Sequence, residues 1–160
     1  CNGCQVMSEL KELIPGSEHW PKLERNNSNR FEARMVQVKI NKSNSNFFRG
    51  MEGSQLLVPV NHGEGKMIFP EHVSAKKIIS DNLAPIQFCT NKGIEAEEFP
   101  ENPNGSIQGI TAVTNEDGRF LIMMPHPERS FLNNQLSWTN EKGKHSPWYK
   151  LFLNARNFYS

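Results

Sequence analysis

Residues 109–128 read Gly109-Ile-Thr-Ala-Val-Thr-Asn-Glu-Asp-Gly-Arg-Phe-Leu-Ile-Met-Met-Pro-His-Pro-Glu128, and this segment sets the architecture of the chain. Its two apolar runs, 109–114 and 120–124, have the length of buried strands. Residues 115–118 between them contain an Asp-Gly pair, which is a strong local signal for a β-hairpin. The segment therefore predicts a hairpin whose second strand leads directly into His126.

Segments on either side of this hairpin predict a mixed α/β layout. Apolar periodicity predicts helices over 4–13, 73–79 and 148–159, and strands over 31–40, 56–60 and 86–90. Pro59 places its strand at a sheet edge or a strand end, because proline cannot donate to the ladder. Residues 100–106 are turn formers and predict a plain loop. The first helix has no strand before it, so we interpret the chain as starting on a strand–helix turn whose strand has been removed.

Composition limits the classes of function. A length of 160 residues suits one domain, and a net charge of +1 gives no reason to expect nucleic acid or a membrane surface as a partner. No apolar run approaches the roughly 20 residues that a spanning helix requires. Three cysteines, an odd number without framework spacing, favour a reducing cytosol, and we therefore expect a cytoplasmic protein.

A cysteine, a histidine and a carboxylate form the first candidate site. His126 and Glu128 suit a base and the group that orients it, and the flanking prolines restrict their backbone. Cys1 precedes a predicted helix, and a helix N-terminus stabilises a thiolate. The three groups are the minimum for acyl transfer through a thiol. The residues alone equally allow a loop-capping histidine and a helix-start cysteine without a chemical role.

Two other patterns have less support from the residues. Cys1 and Cys4 form a C-x-x-C, which is typical of a redox pair or half of a zinc site. A structural zinc site needs two further ligands, the five histidines are scattered, and no metal site is predicted. The run His62-Gly-Glu-Gly65 is, by itself, an ordinary glycine turn.

Five short motifs in order nevertheless resemble one family, the glutamine amidotransferase domain of phosphoribosylformylglycinamidine synthase, from purine biosynthesis. The resemblance covers essentially the whole chain, and 16–21 and 30–34 favour the large single-chain form over a small separate subunit. The motifs are Cys1-Asn-Gly-Cys-Gln5, Asn29-Arg-Phe-Glu-Ala-Arg34, His62-Gly-Glu-Gly65, Asn102-Pro-Asn-Gly-Ser106 and Met123-Met-Pro-His-Pro-Glu-Arg129.

This resemblance implies a class I, triad amidotransferase with a flavodoxin-like α/β fold, a mixed sheet and flanking helices. Residues 1–160 would be the C-terminal portion of one glutaminase domain, lacking its N-terminal strands, in a larger enzyme. The resemblance implies Cys1 as nucleophile, His126 as base and Glu128 as its orienting group. The main-chain N–H of Asn2 would bind the oxyanion. The implied substrate-binding residues are Gln5, Asn61, His62 and Gly63.

The implied chemistry is hydrolysis of glutamine through a γ-glutamyl thioester on Cys1. A second oxyanion donor would come from a glycine loop outside this sequence, so we expect little activity from the 160 residues alone. Ammonia would pass to the synthetase domain of the same polypeptide, where ATP and magnesium support the synthesis of formylglycinamidine ribonucleotide. The family implies no cofactor within this chain itself.

Two alternatives remain at this point. One is an N-terminal-nucleophile cysteine amidohydrolase, in which the α-amino group of Cys1 acts as the base. The other is a non-enzymatic metal-binding module that uses Cys1 and Cys4.

Overall fold

A computed structural model describes residues 1–140 and 142–160, which contain seven strands and three α-helices. The strands are β1 Lys22–Glu24, β2 Glu32–Ile40, β3 Gln55–His62, β4 Lys66–Ile68, β5 Ile86–Phe88, β6 Ile110–Thr114 and β7 Leu121–Met123. The helices are α1 Asn2–Glu9, α2 Ala75–Ser80 and α3 Tyr149–Tyr159. Short 3₁₀ turns occur at Lys11–Leu13, Asn46–Phe48, Ile107–Gly109, Pro127–Arg129 and Asn133–Gln135.

The main sheet has the strand order β3-β2-β5-β6-β7, and its neighbouring strands run antiparallel. The predicted hairpin is confirmed as β6 and β7, with Ala112 opposite Met123 and Val113 opposite Ile122. Pro59 lies in β3, which is an edge strand as predicted. A separate ladder joins β1 to β4, and neither of these three-residue strands was predicted.

The loop of the hairpin is longer than its Asp-Gly pair alone indicates. Asn115 organises it, because its Oδ1 accepts from the N–H of Phe120 at 2.9 Å and its Nδ2 donates to Asp117 at 2.8 Å. Gly118 has a φ of +75°, and a Cβ at this position would lie 1.9 Å from the carbonyl oxygen of Asn44. Glycine is therefore required both by the backbone angle and by the close approach of the neighbouring segment.

Two clusters of buried side chains form the core. The first joins β2, β3 and β5 to α3, and the second joins α1, α2 and β4 to the hairpin. Alternate residues of β7 contact different clusters: Leu121 and Met123 pack against the first, and Ile122 belongs to the second. Helix α1 therefore packs on the face of β7 that is opposite the first cluster.

Helix α1 differs from its prediction in extent and in the face it buries. It begins at Asn2 rather than residue 4 and ends at Glu9, followed by a 3₁₀ turn. Its buried residues are Cys4 and Ser8, and it packs against β1 and β7. Of the four apolar positions that predicted the helix, Val6, Leu10 and Leu13 are exposed, whereas Met7 packs against the second core cluster. No helix in the described ranges has the length and apolar character needed to cross a membrane.

Candidate active site

His126 and Glu128 contact each other directly at the end of β7. The Nδ1 of His126 lies 2.7 Å from Oε1 of Glu128. A carboxylate only accepts hydrogen bonds, so Nδ1 carries the proton and Nε2 of the neutral ring has a free lone pair. Among the described residues this Nε2 has no hydrogen-bond partner and is shielded from solvent. The arrangement is that of a base with its orienting group.

The backbone of His126 is fixed from both sides. Its N–H donates to the carbonyl of Pro59 in β3 at 2.8 Å, and its carbonyl accepts from the N–H of Arg129 at 3.0 Å. The second bond closes the 3₁₀ turn Pro127–Arg129, which begins with a proline. His126 is therefore attached to the edge strand whose end carries Asn61 and His62.

Cys1 lies at the N-terminus of α1. It is half-buried and packs against the second core cluster, and its carbonyl accepts the first intrahelical bond, from the N–H of Gln5 at 3.1 Å. The N–H groups of Asn2, Gly3 and Cys4 precede that bond and have no partner within the helix. Free N–H groups at a helix N-terminus favour negative charge on or near the Cys1 sulfur.

Helix α1 and strand β7 are joined at Cys4. The Cys4 thiol lies near the main chain of Met123, and the two elements pack against each other. Burial raises the pKa of Cys4 to about 12, so this thiol is protonated at neutral pH. Thiolate is the form that binds metal. The described part of the chain contains no group of three or more His, Cys, Asp or Glu side chains placed to hold a metal ion.

The loop after β3 connects to the same helix. Gln5 donates its side-chain amide to the Glu64 carboxylate at 2.9 Å. Asn61 and His62 are the last residues of β3, where they pair with Ala33 and Glu32 of β2. Of the predicted substrate-binding residues, Gln5 is thus linked through Glu64 to the segment 61–65, which contains the other three.

His62 is completely buried beneath this loop. A Cβ at Gly65 would lie 2.1 Å from Cδ2 of the His62 ring, so the glycine allows the main chain to pass directly over the imidazole. The pKa of His62 is lowered to about 4, chiefly by burial and to a smaller extent by the charges of the Cys1 amino group and His126. Both groups therefore lie close enough to His62 to act on it electrostatically. The structure brings Cys1, His62 and His126 into one region.

Acid is expected to destabilise the fold through His62. The unfolded chain has the ordinary histidine pKa of 6.5, whereas the folded value is about 4, so unfolding takes up a proton between these pH values. The contribution to stability is complete above pH 6.5 and is lost as the pH falls toward 4. We expect the free energy of unfolding, measured with urea, to fall between pH 7 and pH 5 by about 2 kcal/mol more in wild type than in His62→Gln.

The control for this measurement is His72→Gln, because His72 is exposed. His19, whose pKa burial also lowers, is present in all three proteins and cancels in the comparison. Equal losses in wild type and His62→Gln would contradict the assignment of the effect to His62.

A buried polar network that was not predicted from the sequence supports the loop after β3, residues 62–65. Asn102–Ser106 was predicted as a plain loop, but Asn102, Asn104 and Ser106 are almost completely buried, as is Asn26. The side chain of Asn26 bonds to His62 and Gly65, and that of Asn104 to Gly65 and Ser106. A short run of amides and hydroxyls has the same composition whether it is solvated or buried. Its burial depends on contacts more than 35 residues apart.

A cavity lies beside residues 102–105 rather than at the candidate triad. It has a volume of about 880 Å³ and is formed between residues 27–33 and 97–105. Phe31 lines it and approaches the loop, since a Cβ at Gly63 would lie 3.7 Å from the Phe31 ring. Cys1, His126 and Glu128 do not line the cavity.

Comparisons with known proteins identify the family and the fold of the chain. The family of the CobB/CobQ-like glutamine amidotransferase domain matches residues 1–159. A solved structure described as "Structure of PurLQS from Thermotoga maritima" superposes with a TM-score of 0.69 at 22% identity. The match covers 99% of this chain and 59% of that chain, so this chain spans about three-fifths of the length of its structural relative. The likeness confirms the predicted α/β, amidotransferase-like fold. Because the family match extends over almost every residue, the chain belongs to the CobB/CobQ-like glutamine amidotransferase family.

Proposed function

We propose that this chain is the glutamine-hydrolysing part of a phosphoribosylformylglycinamidine synthase of the large single-chain form. Residues 1–160 would form the C-terminal portion of a single glutaminase domain within that enzyme. The observation that carries the proposal is the 2.7 Å contact between His126 and Glu128, at the end of the strand against which the Cys1 helix packs. Membership of the amidotransferase family supports glutamine as the substrate.

The proposed reaction begins at the Cys1 sulfur. His126 Nε2 takes the thiol proton as sulfur attacks the side-chain carbonyl carbon of glutamine, and Glu128 stabilises the imidazolium that forms. Collapse of the tetrahedral intermediate breaks the C–N bond, and His126 returns its proton to the leaving nitrogen, which departs as ammonia. A γ-glutamyl thioester remains on Cys1. Water then attacks the thioester with His126 again as base, releasing glutamate and the free thiol.

The oxyanion of each tetrahedral intermediate would be bound at the start of α1. The N–H of Asn2 is one of the helix donors that precede the first intrahelical bond. A preorganised N–H of this kind contributes about 10²- to 10³-fold to the rate in related chemistry. The second donor would come from a glycine loop outside this sequence.

Glutamine would be held at its amino-acid end by the main chain of Asn61, His62 and Gly63, with Gln5 nearby. The support for this placement is the position of His62 within electrostatic range of both Cys1 and His126. The bond from Gln5 to Glu64 further connects the helix of the nucleophile to this loop.

We propose that ammonia passes to a synthetase domain of the same polypeptide, which would use ATP and Mg²⁺ to convert formylglycinamide ribonucleotide to the amidine. This chain itself would carry no cofactor. Similarity to a structure described as PurLQS supports the assignment to this type of synthase. The three free cysteines are consistent with the reducing conditions of a cytoplasmic enzyme.

The proposal is tested with the full-length enzyme that contains this chain. Formylglycinamide ribonucleotide, ATP and Mg²⁺ are supplied with either glutamine or ammonium, and amidine formation and glutamate release are measured separately. We expect both nitrogen sources to support synthesis, with one glutamate released per amidine formed from glutamine. If glutamate is released but neither glutamine nor ammonium supports amidine formation, the glutaminase assignment would stand and the synthase assignment would be refuted.

A further inference from the structure

The main chain of residues 62–65 is held by two buried side-chain amides. Asn26 donates from Nδ2 to the carbonyl of His62 at 2.8 Å, and its Oδ1 accepts from the N–H of Gly65 at 3.1 Å. Asn104 donates from Nδ2 to the carbonyl of Gly65 at 2.8 Å. The N–H of Asn26 also donates to the carbonyl of Gly63 at 2.9 Å. Four polar groups of this four-residue loop therefore have partners on Asn26 or Asn104.

Ser106 determines the orientation of the Asn104 amide. The Ser106 N–H lies 3.0 Å from Oδ1 of Asn104, and a main-chain N–H can only donate. The Ser106 hydroxyl adds a second bond to the same oxygen at 2.8 Å and accepts from the N–H of Met67. Oδ1 is thus the acceptor end, and Nδ2 must face the carbonyl of Gly65 and the ring of His62.

The same orientation assigns the His62 tautomer. Asn104 Nδ2 lies 3.3 Å from His62 Nε2, and an amide nitrogen has no lone pair with which to accept. Nε2 must therefore be the accepting nitrogen, and the proton of the neutral ring resides on Nδ1. Burial, which lowers the pKa of His62, agrees with a neutral ring.

Water cannot replace these amides. Asn104 is 0% exposed and Asn26 is 1% exposed. A carbonyl that loses such a donor remains buried without a partner, and this is more costly than the loss of a solvated hydrogen bond. The conformation of the loop therefore depends on both side chains.

We propose that Asn26 and Asn104 are positioning residues for glutamine binding, because they set the main-chain geometry of residues 62–65. This inference rests on the proposed function, in which the main chain of Asn61–Gly63 holds the amino-acid end of glutamine. Neither side chain contacts the reacting atoms in this scheme. Their effect is expected in the affinity for glutamine rather than in the chemical step.

The test uses Asn104→Asp and Asn26→Asp in the full-length enzyme. Aspartate has nearly the same shape and retains the accepting oxygen, but as a carboxylate it cannot donate to the carbonyl of Gly65 or His62. The KM for glutamine should rise about 10- to 100-fold, with kcat changed less than about threefold. Ammonia-dependent synthesis should be unaffected, since ammonia does not use the glutamine site.

The matched control is Asn41→Asp. Asn41 also joins distant segments through its amide, with bonds to the carbonyl of Ala84 at 3.0 Å and to Oε1 of Gln87 at 2.8 Å, but it does not contact the loop. This variant should lose thermal stability without a change in the KM for glutamine. A generally weakened fold reduces the amount of active enzyme and therefore lowers the apparent kcat without changing KM. A rise in KM at nearly constant kcat therefore identifies a positioning role.

Alkylation of Cys1 provides a second measurement. A glutamine analogue with an electrophilic carbon in place of the amide should label Cys1 about 10- to 100-fold more slowly in the two Asp variants, whereas iodoacetamide should label all proteins equally. If the Asp variants do not fold, Ser106→Ala, which removes one bond to Asn104, should raise KM several-fold.

Two negative results have different meanings. Wild-type KM and labelling rates in the Asp variants, or in Ser106→Ala where it replaces them, would overturn the positioning role and leave the glutaminase intact. A wild-type enzyme that neither hydrolyses glutamine nor reacts with the analogue at Cys1 would refute the proposed function itself.

Discussion

Replacement of Cys1 by alanine in the full-length enzyme is expected to abolish glutamine-dependent synthesis and to leave ammonia-dependent synthesis at its wild-type rate. Without the sulfur no thioester forms, so glutamate release should fall by at least about 10³-fold. In the proposed scheme, the synthetase reaction with free ammonia requires no thiol in this chain. The two rates are measured side by side, with glutamate quantified in the first reaction and amidine in both.

The matched control is Cys4→Ala, one helical turn away. Cys4 is buried and its thiol is protonated, so this variant should lose stability but keep glutamine hydrolysis within a few-fold of wild type. Glutamine-dependent activity that survives in Cys1→Ala would remove Cys1 from the mechanism. Activity of an enzyme in which another residue precedes Cys1 would exclude the N-terminal-nucleophile alternative, because the α-amino group would then be a peptide nitrogen.

Loss of the base should give the second large effect. His126→Asn retains a polar side chain beside Glu128 but cannot transfer a proton, so kcat for glutamine hydrolysis should fall about 10²- to 10⁴-fold with little change in KM. Glu128→Gln should cost less, about 10- to 100-fold, because Glu128 is half exposed and solvent screens its interaction with the imidazolium.

The control for His126 is the exposed histidine His72, whose replacement by asparagine should leave kcat unchanged. Single-turnover measurements should show that His126→Asn slows both formation and hydrolysis of the thioester. A His126→Asn enzyme as fast as His72→Asn would contradict the assignment of the base.

Local parts of the fold were predictable because their signals are local. The hairpin β6–β7 follows from two apolar runs around an Asp-Gly pair, and the proximity of His126 to Glu128 follows from a separation of two residues. Pro59 identified an edge strand because the restriction lies in proline itself. Each of these inferences required only a few consecutive residues.

Other parts depend on residues far apart in the chain. Strands β1 and β4 have three residues each, too few for a periodic pattern, and form only because they pair with each other. The loop of Asn104 becomes a buried network only when it meets Asn26 and the end of β3. Cys1 and His126 are 125 positions apart, and family resemblance rather than spacing linked them.

The apolar spacing of α1 shows a third limit. Val6, Met7, Leu10 and Leu13 predicted the helix by their spacing, yet of these only Met7 packs against the core. The buried residues of α1 are Cys4 and Ser8. Periodicity reports that a helix has an apolar side. It does not determine which side packs against β7. Small residues such as Cys4 and Ser8 allow the helix to approach the strand more closely than leucine or valine would.

In the proposed mechanism, the bond between Gln5 and Glu64 couples the helix that carries Cys1 to the loop of residues 62–65. A ligand that changes the strength of this bond by binding the loop would also change the reactivity of Cys1, and modification of Cys1 would change the affinity for that ligand by the same factor. The bond is exposed and 2.9 Å long, so its contribution is limited to about 1 kcal/mol. Through this contact, occupancy of the loop can therefore change the reactivity of the thiol by a factor of only about five.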